Sequence, residues 1–389
     1  MSRAVVTAQP GELRAAVLDD DGALTDFLVE RGDRPEVVGN RYLGRVSAYD
    51  SGLQAAFVDV GLDRPGFLPR KAMHAPLSDG DRVVVEVVRA PSPGKGAKLT
   101  APPGQSGTVQ GDPPLLLSAS DTLAAMLTRH DPREVRVGGT LGVAALRRRI
   151  PAVAERMVGE PGGGDLFQAE GLDEALDSLL APEVPLPGGG LLRIEPVATL
   201  TAVDVDAAAH EGRGDAARLV REVNMAAARE LVRQIRLRAL SGLIVVDFLE
   251  MESKAERRAV TEVLESALGD EPGGSAVAPM RASGLVEIAR QRLRTPLHEL
   301  LTEPGGQWGA GWIKTPEAVA FELLRRAESE VRARPSASVA LVVAPSVAAA
   351  LEGGAARAAR QALEQRLGGP LAIRAEAAMS RETYDIVLG

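Results

Sequence analysis

The sequence predicts a multidomain protein of mixed α+β and α/β class, with a small β-barrel near the N-terminus and strand–helix–strand units after it. Three observations carry this expectation. Residues 39–101 alternate apolar and polar positions in short runs separated by glycine-marked turns. A helix-periodic stretch lies between two hydrophobic strand runs in the middle of the chain, and residues 315–389 again alternate strand and helix patterns.

The barrel segment consists of NRYLGRVSAYD, GLQAAFVDVG, RPGFLP, DRVVVEVVRA and GAKLTA, five runs of a length that suits a barrel of the OB type. A strand-like stretch at residues 13–29 precedes it. The run PPGQSGTVQGDPP, at 102–114, is rich in Pro, Gly and Ser and predicts a linker or exposed loop. EVRVGG then predicts a strand, and GVAALRRRIPAVAERM a helical stretch interrupted at Pro151, whose ring removes a donor and crowds the preceding turn. PGGG at 161–164 marks a loop, and LDEALDSLLA predicts a short helix. PLPGGGLLRIEP and ATLTAVDVD predict strands, with a β-hairpin turn supplied by Gly188, Gly189 and Gly190. In ARLVREVNMAAARELVRQIRLRAL, Leu219, Val223, Leu231 and Ile235 recur at helical spacing. SGLIVVDFLEM follows as a buried strand, so strand, helix and strand succeed one another as in a βαβ unit. PGGQWGAG is a turn-rich connector. After it PEAVAFELLRRAESEVRAR predicts a helix, ASVALVVA a strand, AARAARQALEQRL a helix, and PLAIRAEA and YDIVLG strands.

Of the 389 residues, 45% are hydrophobic and 25% charged, enough for about two to four domains. No apolar run approaches the roughly 18 residues that a membrane span needs, and MSRAVVTAQPGELR lacks an apolar signal stretch, so a cytoplasmic protein is expected. The absence of cysteine excludes disulfides, thiolate zinc sites, cysteine-ligated clusters and cysteine nucleophiles. His74, His130, His210 and His298 are scattered without ligand spacing, which leaves a hard cation on oxygen ligands as the expected metal. The net charge of −8 argues against a nucleic-acid partner overall. The basic residues nevertheless cluster, with Arg218, Arg221, Arg229, Arg233, Arg236 and Arg238 in one helix length and Lys71, Lys95 and Lys98 in the barrel segment. Each cluster reads either as a solvated face or as a phosphate-binding patch.

Two carboxylates end hydrophobic strand runs: Asp204 in LTAVDVD and Asp247 in GLIVVDF. A carboxylate there is costly unless something pairs with it, and metal ligation at the carboxyl edge of a sheet is one solution. If the crossover helix makes the two strands neighbours, both reach one rim and can share a Mg²⁺ ion. From spacing alone, either aspartate equally well caps a following helix or pairs with a nearby arginine. Asp206 and Glu250 follow close behind, as outer carboxylates or as solvated ones. In the barrel, Phe57 and Phe67 with Lys71, Lys95 and Lys98 form either a platform for single-stranded bases or, for the phenylalanines, core. Trp308 and Trp312 in QWGAGW read as a packing staple or interface patch.

Four motifs in order, GNRYLGRVSAYDSGLQAAFVDVGLDRPGFLP, LTAVDVD, NMAAARELVRQIRLRALSGLIVVDFLEM and GLVEIARQRL, closely resemble the ribonuclease E/G family. The resemblance covers most of the chain and is weakest over 102–133. It implies an OB-fold RNA-binding barrel (39–101) inserted into a ribonuclease H-like subdomain (1–38 and 134–179), with 102–133 as linker and remnant. A deoxyribonuclease I-like catalytic domain (180–300), a connector (301–314) and a small C-terminal α/β domain (315–389) would follow. By motif position, Asp204 and Asp247 match the family's metal-binding aspartates, with Asp206 beside them in the catalytic set. Phe57, Phe67, Lys95 and Lys98 look like RNA-gripping barrel residues, and Arg290 and Arg292 in ARQRL like phosphate contacts.

The resemblance thus implies a magnesium-dependent endoribonuclease, with Mn²⁺ as a substitute ion. It would cut single-stranded RNA during ribosomal RNA processing and mRNA decay and leave 5′-phosphate and 3′-hydroxyl ends. The alternative is a non-catalytic RNA-binding protein of the same descent. Three departures bear on the choice. Asp206 stands where the family usually has Asn, adding a charge. The family's CPxC zinc link is replaced by the cysteine-free EPGGQWGAGW, so no zinc is expected there, and a homodimer through the connector and small domain would rest on packing. The lobe that senses a 5′-monophosphate has no recognisable counterpart, so stimulation by that group is expected to be weak or absent.

Overall fold

The computed structural model describes all residues except 1, 92–93, 104–108, 141, 162–164, 198, 208–215, 270, 272, 306–310 and 335–337. Three antiparallel strands open the chain, β1 (Arg3–Gln9), β2 (Glu12–Leu18) and β3 (Leu24–Arg31), almost wholly buried on both faces. The barrel follows, with β4 (Arg41–Asp50), β5 (Ala55–Asp59), β6 (Gly66–Pro69), β7 (Arg82–Arg89) and β8 (Lys98–Thr100). They join in the order β4-β5-β6-β8-β7, and β7 returns to β4, a closed five-stranded barrel of OB-like form. Its interior is filled by Tyr42, Val46, Val58, Leu68, Val85 and Leu99 among others, the inward set of each alternating strand. Closure needs a glycine at 96, where a Cβ would lie 2.0 Å from the Pro65 carbonyl oxygen.

The segment predicted as linker and remnant is more ordered than its composition suggests. Strand β9 (Leu115–Ser118) lies along β4 on the barrel's outside. Helix α1 (Thr122–His130) then starts where the Asp121 side chain accepts the Ala124 amide, and it buries Leu123, Met126 and Leu127. The proline and glycine signal ends at Pro114; the helix beyond it is only nine residues long, too short for its periodicity to stand out. Next come β10 (Glu134–Gly139), α2 (Val143–Arg149) and β11 (Met157–Gly159). Strand β10 pairs in parallel with β1, giving the order β11-β10-β1-β2-β3, so the barrel is an excursion between β3 and β10. Helices α1 and α2 cover one face of this sheet; α3 (Leu166–Ala169) and α4 (Leu172–Leu180) cover the other through Phe167, Leu172 and Leu176.

The central domain contains β12 (Glu183–Pro185), β13 (Leu191–Pro196), β14 (Thr201–Asp206), helix α5 (Ala216–Leu237) and β15 (Gly242–Asp247). Helix α6 (Lys254–Gly269), β16 (Ser275–Val277) and β17 (Leu285–Arg290) complete it. The sheet order is β12-β13-β14-β15-β17-β16; only β14 and β15 are parallel, as the crossover helix requires. Helices α5 and α6 pack on one face, around Leu192, Val203, Val205, Leu231, Ile244, Val246 and Ile288. The opposite face carries the alternate residues and is largely open to solvent.

A short helix α7 (Leu297–Leu301) leads into the two-stranded ribbon β18 (Thr302–Pro304) and β19 (Trp312–Lys314). The C-terminal domain has α8 (Pro316–Ala333), β20 (Val339–Val343), α9 (Pro345–Glu352), α10 (Gly354–Leu367), β21 (Leu371–Ala375) and β22 (Tyr384–Leu388). Its strand order is β21-β20-β22. It docks on the first sheet through buried charge. Glu12 on β2 accepts from Arg31 at 2.9 Å and from Arg325 of α8, while the neighbouring Arg14 ties the same sheet to Asp165 and Asp173 at α3 and α4. Gly11, at φ +81, turns β1 into β2 against the Phe321 ring, where a Cβ would stand 2.9 Å away. Among the described residues no helix is long and apolar enough to cross a membrane.

Candidate functional site

On the open face of the central sheet one row of residues crosses five strands in register: Glu183, Arg193, Asp204, Asp247 and Leu285. The hydrophobic alternation of β14 fixes it. Val203 and Val205 face the helices, which turns Asp204 and Asp206 outward; Ile244 and Val246 do the same for Asp247. Asp204 and Asp247 are direct partners on adjacent parallel strands, so their Cα atoms are about 4.8 Å apart and their carboxylates share one patch of surface. Both are exposed, and among the described residues neither carboxylate makes a hydrogen bond or an ion pair. The helix-cap and arginine-pair readings of these two residues therefore find no partner. Asp206 lies two residues further along β14 on the same face, opposite Leu191, and Glu250 is exposed in the segment after β15.

Two unpaired carboxylates at this separation suit a hard divalent cation that completes its shell with water. Among the described residues no group of three or more His, Asp or Glu side chains is arranged to hold a metal, so these two would be its protein ligands. A residue absent from the sequence expectations positions one of them. Asn224 of α5 is completely buried; its Nδ2 donates to the Leu249 carbonyl at 2.8 Å and its Oδ1 accepts the Leu249 amide at 3.0 Å. This two-way clamp fixes the chain two residues beyond Asp247. An Asn inside a helical repeat of apolar residues is the signal that marks it.

The barrel carries a second patch. Phe57 and Phe67 face each other on β5 and β6 with ring centroids 6.0 Å apart at 68°, an edge-to-face pair. Their neighbours Ala56, Val58 and Leu68 fill the interior, so both phenylalanines stand on the outer wall, half-buried. Lys98 is the register partner of Phe67 on β8, which sets a cation at the end of the aromatic row, and Lys95 is exposed just before that strand, as Lys71 is after β6. Of the two readings for the phenylalanines, packing inside the barrel does not apply.

The arginines of ARQRL are already occupied. The Arg290 side chain is largely covered, pairs with Glu271 at 3.0 Å and donates to the Leu240 carbonyl at 2.9 Å. Burial lowers its pKa, although Glu271 draws it back up. Arg292 forms a two-pronged pair with Glu299 at 2.8 and 2.9 Å. Gln291 between them does the reaching, donating to the Val88 carbonyl of the barrel at 2.6 Å and so tying barrel to central sheet. The arginines of α5 and of the turn after it divide. Arg236 pairs with Glu271, Arg233 with Glu230, and Arg238 is buried against Gln234, burial lowering its pKa to about 10; Arg221 and Arg229 stay exposed. Trp312 donates from Nε1 to the Pro196 carbonyl at 3.2 Å and packs edge-on against His298, a staple within the chain; Trp308 lies outside the described residues.

A sequence model of the Ribonuclease E/G family matches residues 122–293, a span that includes Asp204, Asp247, Arg290 and Arg292. Over 485 aligned residues the chain is 26% identical to ribonuclease G of Escherichia coli (strain K12), covering 99% of both proteins. The chain is similar to proteins of the ribonuclease E/G family along nearly its whole length. Other members extend the comparison. Ribonuclease G of Haemophilus influenzae is 23% identical with 99% of both chains covered, and ribonuclease E of Escherichia coli is 25% identical over 95% of this chain and 44% of that longer protein. The barrel with Phe57, Phe67, Lys95 and Lys98 lies outside the family-model span but inside the full-length alignments. Since 389 residues here align over 485 positions, about a hundred positions of this ribonuclease E/G alignment have no residue in this chain.

Proposed function

We propose that this chain is a divalent-cation-dependent endoribonuclease that cuts single-stranded RNA. The observation that carries the reading is the in-register pair Asp204 and Asp247, exposed and unpaired on the open face of the central sheet. Asp204 and Asp247 would hold Mg²⁺, or Mn²⁺ in its place, with water filling the remaining positions. Bound there, the ion supplies a water of lowered pKa and positive charge beside the scissile phosphate. Asn224 keeps the Asp247 strand end in place, and Asp206 adds negative charge to the same rim. The edge-to-face pair Phe57 and Phe67 offers stacking surfaces to unpaired bases, with Lys98 and Lys95 for their phosphates. Arg290 and Arg292 support the site through the Glu271 and Glu299 pairs, and reach RNA only by giving those up.

Within this reading the products carry 5′-phosphate and 3′-hydroxyl ends, the substrates are ribosomal precursors and messages, and the protein acts in the cytoplasm. The first sheet with its barrel excursion corresponds to a ribonuclease H-like subdomain, and the central sheet to a deoxyribonuclease I-like domain. No zinc takes part, and any homodimer rests on packing of the connector and small domain. Incubating an AU-rich single strand with wild type, Asp204→Asn and Asp247→Asn, with Mg²⁺ and with EDTA, tests the proposal. Cleavage by the wild type in Mg²⁺ alone, reduced at least about 100-fold in each variant, is expected. A wild type that binds the strand without cutting it decides for the non-catalytic reading. Comparing 5′-phosphate and 5′-hydroxyl forms of that strand tests the 5′ end, with equal rates expected.

A further inference from the structure

We infer that Arg193 is a phosphate-binding catalytic residue of the Asp204 and Asp247 site, holding a non-bridging oxygen of the scissile phosphate; this rests on the endoribonuclease reading. Three observations lead to it. Arg193 is the register partner of Asp204 on the antiparallel strand β13, so the two Cβ atoms are about 5 Å apart. Both side chains are exposed on the same face, because Leu192 and Ile194 on one strand and Val203 and Val205 on the other point into the core. Arg193 is also the only cation in the row that runs Glu183, Arg193, Asp204, Asp247, Leu285.

The guanidinium does not close on Asp204. It pairs with Glu183 on the outer strand at 2.6 Å, and both side chains of that pair are about half exposed, at 49% and 53%. An ion pair so open to water is weak and is readily exchanged for another anion. Asp204 thereby keeps its carboxylate free of the arginine, and Arg193 keeps a fork of N–H donors one strand away. A phosphodiester laid across β13 to β15 meets carboxylate-bound cation on one side and guanidinium on the other, the geometry in which an arginine binds phosphate oxygens in two-pronged fashion. Of the other arginines near the sheet, Arg257 is engaged by the Met251 and Glu252 carbonyls, and Arg281 pairs with Glu287 in an ion pair as open as that of Arg193 but stands outside the row that holds Asp204 and Asp247.

The test compares full-length wild type, Arg193→Ala, Arg193→Lys and Glu183→Gln in two measurements. The first is single-turnover cleavage of an AU-rich single strand in Mg²⁺. Arg193→Ala is expected to slow it about 100-fold, Arg193→Lys less, while Glu183→Gln stays within about threefold of wild type. The second is the salt dependence of binding of the same strand, fluorescently labelled, in Ca²⁺. Loss of one phosphate contact lowers the slope of log K against log salt by about 0.7 for a single strand. Wild-type rate and slope in Arg193→Ala overturn the inference, as do equal losses in Arg193→Ala and Glu183→Gln, which would mark a structural ion pair. If the wild type itself does not cut, the endoribonuclease reading fails, and the slope alone decides on Arg193: a drop supports phosphate binding there, and no change overturns it.

Discussion

Asn224 shows how a single amide can set the geometry of a site it does not touch. Both of its polar atoms are satisfied by the Leu249 backbone, so Asn224→Ala leaves a half-buried N–H and C=O without their partners. A loss of about 1–3 kcal/mol in urea denaturation is expected, together with a fall in cleavage, because the chain after Asp247 loses its anchor. A variant of unchanged stability would contradict the clamp. At this scale the sequence was only partly readable. Asp204 and Asp247 stood out because a carboxylate ending an apolar strand is conspicuous, whereas Arg193 acquires meaning only through the register of the hairpin that carries it. The burial of Arg290 was equally hidden, since its partner Glu271 lies 19 residues away on another element.

Among the elements, the barrel was legible because each strand alternates and each turn carries its glycine, so period and punctuation agree. Which phenylalanines face outward was not, as one residue of register reverses the answer. Phe67→Ala is expected to weaken binding of an A- and U-rich strand by about 1–3 kcal/mol, the worth of one stacked base, measured by fluorescence anisotropy. Binding at wild-type strength would remove the platform from the account. Gly96→Ala tests closure instead. With a Cβ placed 2.0 Å from the Pro65 oxygen, β6 and β8 cannot both keep their places, and a clear drop in the barrel's melting temperature by circular dichroism is expected. Helix α1 was missed for the opposite reason, its few apolar contacts being too local to rise above the proline and glycine run before it.

For the molecule as a whole, the joint between the first sheet and the C-terminal domain depends on Glu12. Burial alone would raise its pKa, but Arg325, Arg31 and Arg14 together outweigh that effect and hold it at about 2. Its folded value lies below the unfolded one of about 4.5, so its contribution is complete above that pH and is lost as pH falls toward 2. Glu12→Gln is expected to cost about 3–5 kcal/mol near neutrality, by leaving buried guanidinium groups uncompensated, and this deficit should shrink as urea midpoints are measured from pH 6 down to pH 3. A deficit independent of pH would sink this account of the joint. None of it was visible in composition, since the cluster gathers residues from β2, β3 and α8. Arg3 on β1 pairs in register with Glu134 on β10, with the entire barrel between them. On a ribosome adding roughly 5–20 residues per second, the first hairpin emerges with the outer edge of β1 bare and waits on the order of ten seconds for the strand that covers it. Through that interval the nascent chain offers other polypeptides a long apolar strand edge, so translation speed across the barrel bears on how much of this protein escapes aggregation.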